Sequence, residues 1–233
     1  MRKAFILFSI ITLLCFVRGV AQSGECLSWE QKVAGSSPAV PTIQLDELLS
    51  KWESMPKDTW ELFIKLMPIL PSDIVMAVPS DPKLLGIILL CRGWPPVYHT
   101  VMVTPDYKWI TANPGDGCQH ISGWGGDHLL YIVIRKRNVT PLEMIIALTR
   151  IYSIPCNYDW TNYYMGWTQF LIDCVCPGCD LPRLPPDWWW LIGGMECISN
   201  VAFAWNFENH QNIRPNEMVN HPDWRVTCIL PAN

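Results

Sequence analysis

The sequence predicts an α+β fold, a small and mostly antiparallel sheet packed against helices, and three observations predict it. Four short runs rich in Val, Ile and aromatic residues lie between residues 73 and 134, separated by Pro, Gly, Asp and Asn. Segments with helical spacing of apolar residues precede and follow these runs. No internal repeat and no Pro- or Ser-rich linker divides the 233 residues, half of them apolar and 16% charged, so helices and sheet read as one core.

In chain order, residues 1–21 have the make-up of a secretory signal peptide: Arg2 and Lys3, an apolar run over 4–17, then the small residues Gly19-Val20-Ala21. Residues 22–70 read as an N-terminal helical extension, with amphipathic helices at 44–52 and 58–67, the second capped by Asp58 and stopped by Pro68 and Pro71. The main domain is expected over 71–233. Strands are expected at 73–78, 97–103, 108–112 and 129–134. Residues 141–152 read as a helix with Thr140 as N-cap, Pro141 first in the helix and Glu143 closing a capping box. Residues 174–190 hold prolines and three consecutive tryptophans, which makes them an irregular insertion tied down by cysteines. A last helix follows Gly193-Gly194, at about 195–207.

Removal of the leader takes three basic residues and no acidic one, leaving a net charge of about −7 and no basic run to track a phosphate backbone. Nucleic acid is therefore not expected as a partner. Outside the leader the longest apolar runs, such as residues 84–91, fall well short of the ~20 residues that span a bilayer. The mature chain is expected to have no transmembrane span, and the leader assigns it outside the cytoplasm, extracellular or periplasmic.

Cys15 leaves with the leader, and nine cysteines remain. In an oxidising compartment eight of them close four disulfides and one is left over. The group Cys174-Val-Cys176-Pro-Gly-Cys179 has metal-like spacing, but no second Cys or His pair nearby completes a zinc tetrahedron, so disulfides are expected and neither a metal nor a cofactor.

Cys197 lies at the start of this helix, whose apolar residues Ile198, Val201, Ala202 and Trp205 recur at helical spacing. Backbone amides and the positive end of the helix dipole favour the thiolate there, the form that attacks carbonyls. His99 is the single polar member of the row Val97, His99, Val101 and Val103 on one strand face, and becomes a base if a thiol packs over it. A hairpin closed near Asp106 with Val103 facing Trp109 sets His99 opposite Asn113, with Thr111 diagonal on the same face. Asn113 and Thr111 are thus the candidates to orient the imidazole. His120 and His128 flank a Gly-Trp-Gly-Gly loop, and His210 and His221 lie in a polar tail; all four read as solvated loop residues.

These pieces in this order resemble the circularly permuted papain-like amidases, relatives of the NlpC-type peptidases. Pro71-Ser-Asp-Ile-Val-Met76 is similar to that family's Gly-Asp-Ile-Val strand, and His99-Thr-Val-Met-Val103 to its His-Val-Gly-Ile strand. Trp109-Ile-Thr-Ala-Asn-Pro-Gly115 resembles its Val-Ile-Glu-Ala strand, and Leu130-Tyr-Ile-Val-Ile-Arg135 followed by Val139-Thr-Pro-Leu-Glu143 resembles the strand and helix after it. Tyr158-Asp159 and Glu196-Cys-Ile-Ser-Asn-Val201 are similar to its Tyr-Asp and Tyr-Cys-Ser-Glu-Leu-Val elements. The resemblance implies a permuted papain-like architecture with a disulfide-braced insertion, Cys197 as nucleophile and His99 as base. Three departures stand out: Thr111 replaces an acidic residue, Ser72 replaces glycine, and Ile198 separates Cys197 from Ser199.

The expected function is a secreted cysteine hydrolase that cleaves an amide or ester bond, of peptide or lipid, through an acyl-enzyme. The alternative is a catalytically inactive secreted binding protein on the same scaffold. Trp188-Trp189-Trp190 would then be its contact for carbohydrate, lipid or protein, since three adjacent tryptophans among prolines cannot all face one core. Asn138-Val-Thr140 fits an N-glycosylation acceptor, which applies in a eukaryotic secretory host.

Overall fold

Strand β1 (Ile74–Pro79) is buried along its whole length, which places it at the centre of the sheet with both faces covered. The computed structural model describes residues 42–113, 117–122, 128–154, 160–176, 179, 181, 197–207 and 213–232. The leader, Cys26, Cys156, Tyr158-Asp159, Trp188 to Trp190, Glu196, His210 and the side chains of Asn113, Cys118 and His120 lie outside the described residues.

Beside β1 run β2 (His99–Val103) and β5 (His128–Lys136), both antiparallel to it. β3 (Trp109–Asn113), β4 (Gly117–Ser122) and β6 (Trp224–Pro231) complete a six-stranded sheet of order β4-β3-β2-β1-β5-β6, antiparallel at every pairing. Side chains alternate between its two faces. Ile74, Met76, Val78, Met102, Ile110, Ala112, Ile132 and Ile134 join the main core, while Val75, Ala77, Val101, Val103, Trp109, Tyr131 and Val133 form a second apolar layer on the other face.

The main core is closed by helices. From α1 (Thr42–Glu53) come Leu45 and Trp52, and from α2 (Lys57–Leu66) Trp60 and Ile64, so the segment read as an extension contributes to the same core as the sheet. The Trp60 indole also donates to Val139 O at 2.8 Å, which joins α2 to the chain beyond β5. Helix α2 starts one residue earlier than expected, with Pro56 at the N-cap and Asp58 in the first turn. The helix α4 (Pro141–Ser153) carries the expected capping box: Thr140 accepts from the Glu143 amide, and Glu143 accepts from the Thr140 amide at 2.8 Å. Asn138 is exposed in the turn before it, at a positive φ of 52°.

A buried ion pair links these layers. Arg135 Nε and Nη2 donate to the two oxygens of Asp73 at 2.7 and 2.6 Å, and Nη1 donates to Met67 O at 3.0 Å. Both side chains are 1% exposed, so neither charge has water as an alternative partner. Burial raises the Asp73 carboxyl to about 6, against the pull of Arg135 and the Leu70 amide.

Five elements are additional to the expected set. Helix α3 (Pro82–Arg92) has its own local signals, Asp81 accepting from the Lys83 amide, Pro82 at the start and Gly93 after the end. Its apolar residues run all round the helix, so no 3.6-residue period marks it. Helix α5 (Trp160–Val175) packs against α3, and α7 (Pro215–Asn220) against β6. Strands β4 and β6 take the two sheet edges, where half-polar sequences serve. Strand β2 begins at His99 rather than Val97. Val97 joins the main core, so the expected row of Val97 with His99 is corrected: the chain bends before the ladder starts.

Candidate functional site

Helix α6 (Cys197–Ala204) packs against β2 and β3 through Val201, Ala202 and Ala204, on the main-core face. Just past its C-terminal end, Trp205 Nε1 donates to Ser72 O at 3.0 Å, and the Ser72 amide donates to Val103 O at 2.7 Å. This end therefore lies by the last residue of β2. Cys197, first in the helix, is 8% exposed and in no disulfide. Ser199 and Asn200 beside it are buried as well.

The second candidate group is held by the hairpin. Val103 pairs with Trp109 and Met102 with Ile110, the register expected from the sequence. Thr111 Oγ1 lies 3.4 Å from His99 Nε2 and donates to Thr100 O at 3.0 Å. A hydroxyl has one proton, so with Thr100 O taking it, Thr111 Oγ1 is available as an acceptor for His99 Nε2 in the tautomer protonated there. Asn113 pairs with Gly117 at the far end of β3, and its side chain lies outside the described residues.

Face matters as much as strand position. His99 is paired with Ala77, and residues directly opposite in an antiparallel ladder share a face. Ala77 belongs to the second layer, so His99 and Thr111 face away from α6, while the intervening Thr100 is on the side of Met102 and the helix.

One neighbour was not legible in the sequence. His128, expected in a solvated loop, begins β5 and is half-buried, its Nδ1 2.5 Å from Tyr98 Oη. Its ring also lies 6.2 Å from Trp109 and 5.3 Å from Tyr131. Tyr98 in turn stands 6.3 Å from the His99 ring, so an aromatic and imidazole group forms on the His99 face. Only the β1–β5 register, pairing Pro79 with His128, brings it there. His120 is carried by β4, paired with Thr111, and is likewise no loop residue.

The Cys174 group is in disulfides: Cys91 pairs with Cys174, and Cys176 with Cys179. Cys228 is outside any disulfide too, half-buried, with its thiol donating to Pro68 O at 3.3 Å. Burial pushes its thiol up from the usual cysteine range, which disfavours the thiolate there. Among the described residues no cluster of three His, Cys, Asp or Glu stands in a position to hold a metal. No family model matches the chain, and neither a curated protein nor a solved structure matches it.

Proposed function

We propose that the chain is an exported thiol hydrolase of the circularly permuted papain-like, NlpC-like type, which cleaves an amide or ester bond through an acyl-enzyme on Cys197. The reading is supported by the packing of α6, whose first residue Cys197 is buried and in no disulfide, on β2, the strand that His99 begins. In the reaction, His99 Nδ1 takes the Cys197 proton, with Thr111 holding Nε2. The thiolate adds to the carbonyl, and backbone amides at the start of α6, at the positive end of its dipole, receive the oxyanion. His99 protonates the leaving group, and water then releases the acyl group. Export is supported by two disulfides and by the composition of residues 1–21.

A second reading, a binding protein without catalysis on the same scaffold, is favoured by the face assignment, which sets His99 and α6 on opposite sides of the sheet. Alkylation separates the two. The native, non-reduced protein is treated with iodoacetamide across pH 5–9 and the label mapped by peptide. The hydrolase reading expects Cys197 to react at least about tenfold faster than Cys228 below pH 7, and His99→Ala to abolish that advantage. Equal rates at the two thiols, or a His99→Ala profile like that of the wild type, would leave the binding reading.

A further inference from the structure

We infer that the Cys176–Cys179 turn is a redox-active site, a disulfide that opens to a dithiol and closes again by exchange with external thiols while the fold stays intact. It is independent of the hydrolase reading. Cys176 and Cys179 are exposed just past the C-terminal end of α5, so an attacking thiol reaches them without unfolding.

The turn is held by hydrogen bonds that use no sulfur. The Cys176 amide donates to Ile172 O at 2.7 Å, and the Cys179 amide donates to Cys176 O at 3.0 Å. Gln169 clasps the outer side: its Nε2 donates to Cys179 O at 2.9 Å and to Asp173 Oδ1 at 2.7 Å, and its Oε1 accepts from the Leu181 amide at 2.7 Å. With the S–S bond broken, these contacts keep the two thiols within reach of each other. The bridge also closes only a four-residue loop, so it removes little chain entropy and folding depends little on it.

Its neighbour, although Cys174 is exposed too, closes a far longer loop. Cys91–Cys174 joins α3 to α5 across 83 residues of sequence. Arg92 beside it donates to Asp173 at 3.3 Å and stacks 4.9 Å over Phe170, so the two helices are clamped by charge and packing as well. The two bridges thus divide between a structural clamp and an exchangeable pair.

In the exchange a thiolate of low-molecular-weight or protein origin attacks one sulfur of the pair. The S–S bond breaks, its electron pair leaves on the other cysteine sulfur, and that sulfur takes a proton from water. A second thiolate attacks the mixed disulfide, expels the first sulfur, and releases the external disulfide, so two thiols are oxidised as one disulfide is reduced. The negative end of the α5 dipole disfavours thiolates here, so the reduced pair keeps its protons and acts as an electron donor rather than an oxidant.

The whole oxidised protein is titrated with dithiothreitol, quenched in acid, alkylated with N-ethylmaleimide and mapped by peptide, with far-ultraviolet circular dichroism in parallel. Cys176 and Cys179 should label at about a tenth of the reductant needed for Cys91 and Cys174, without loss of helical signal, and close again on addition of glutathione disulfide. Simultaneous opening of both bridges, earlier opening of Cys91–Cys174, or loss of helix with the first label overturns the proposal. A Cys176→Ser, Cys179→Ser double variant should keep its fold and its protected Cys91–Cys174 bridge; if it unfolds, the turn is structural and the proposal fails.

Discussion

Thr111 Oγ1 donates to Thr100 O at 3.0 Å and lies 3.4 Å from His99 Nε2. The hydroxyl can accept from the imidazole but brings none of the charge with which an acidic residue would stabilise imidazolium. Thr111→Val keeps the shape and removes the acceptor. If His99 works as a base, the Cys197 alkylation rate at pH 6–7 drops about five- to tenfold, the worth of one neutral hydrogen bond of ~1 kcal/mol. An unchanged rate, with the same thermal midpoint, would remove Thr111 from the site.

Ser72 carries a positive φ of 73°, is fully buried, and its Oγ has no hydrogen-bond partner among the described residues. The conformation suits glycine. Ser72→Gly relieves the left-handed strain and removes the buried hydroxyl, at the cost of extra freedom in the unfolded chain. The variant is expected to be more stable by about 1 kcal/mol in urea unfolding. A lower midpoint would show that the Ser72 side chain stabilises the turn.

Asp73, held in place by Arg135, is raised to about 6 by burial, well above its ordinary value in an unfolded chain. A carboxyl with a raised folded-state value contributes stability that is fully present below the unfolded value and lost as pH rises through the folded one. Between about pH 4 and 6 the native state therefore holds a proton that the unfolded state releases, and this group favours the fold less as pH climbs. The Asp73 side-chain carbon should titrate with a midpoint near 6 by NMR. Relative to Asp73→Asn, the wild type should lose stability from pH 5 to 7; a midpoint below 4 would mean that the Arg135 pair outweighs burial.

Much of this architecture can be read locally, because its signals lie within a few residues of each other. The capping box of Thr140 and Glu143, the four central strands and the Val103 to Trp109 register all follow from period, caps and turn length. So do the cystine character of the Cys174 group and the helical start at Cys197. Tertiary structure alone decided which cysteines pair across 83 residues, that the helix of Trp60 shares the core of the sheet, and that His128 stands beside Tyr98. It also decided that His99 and α6 occupy different faces. Alternation tells a strand only that its neighbours point opposite ways; which face a helix covers is set by burying all the apolar surface at once, and that sum is not contained in any short stretch of residues.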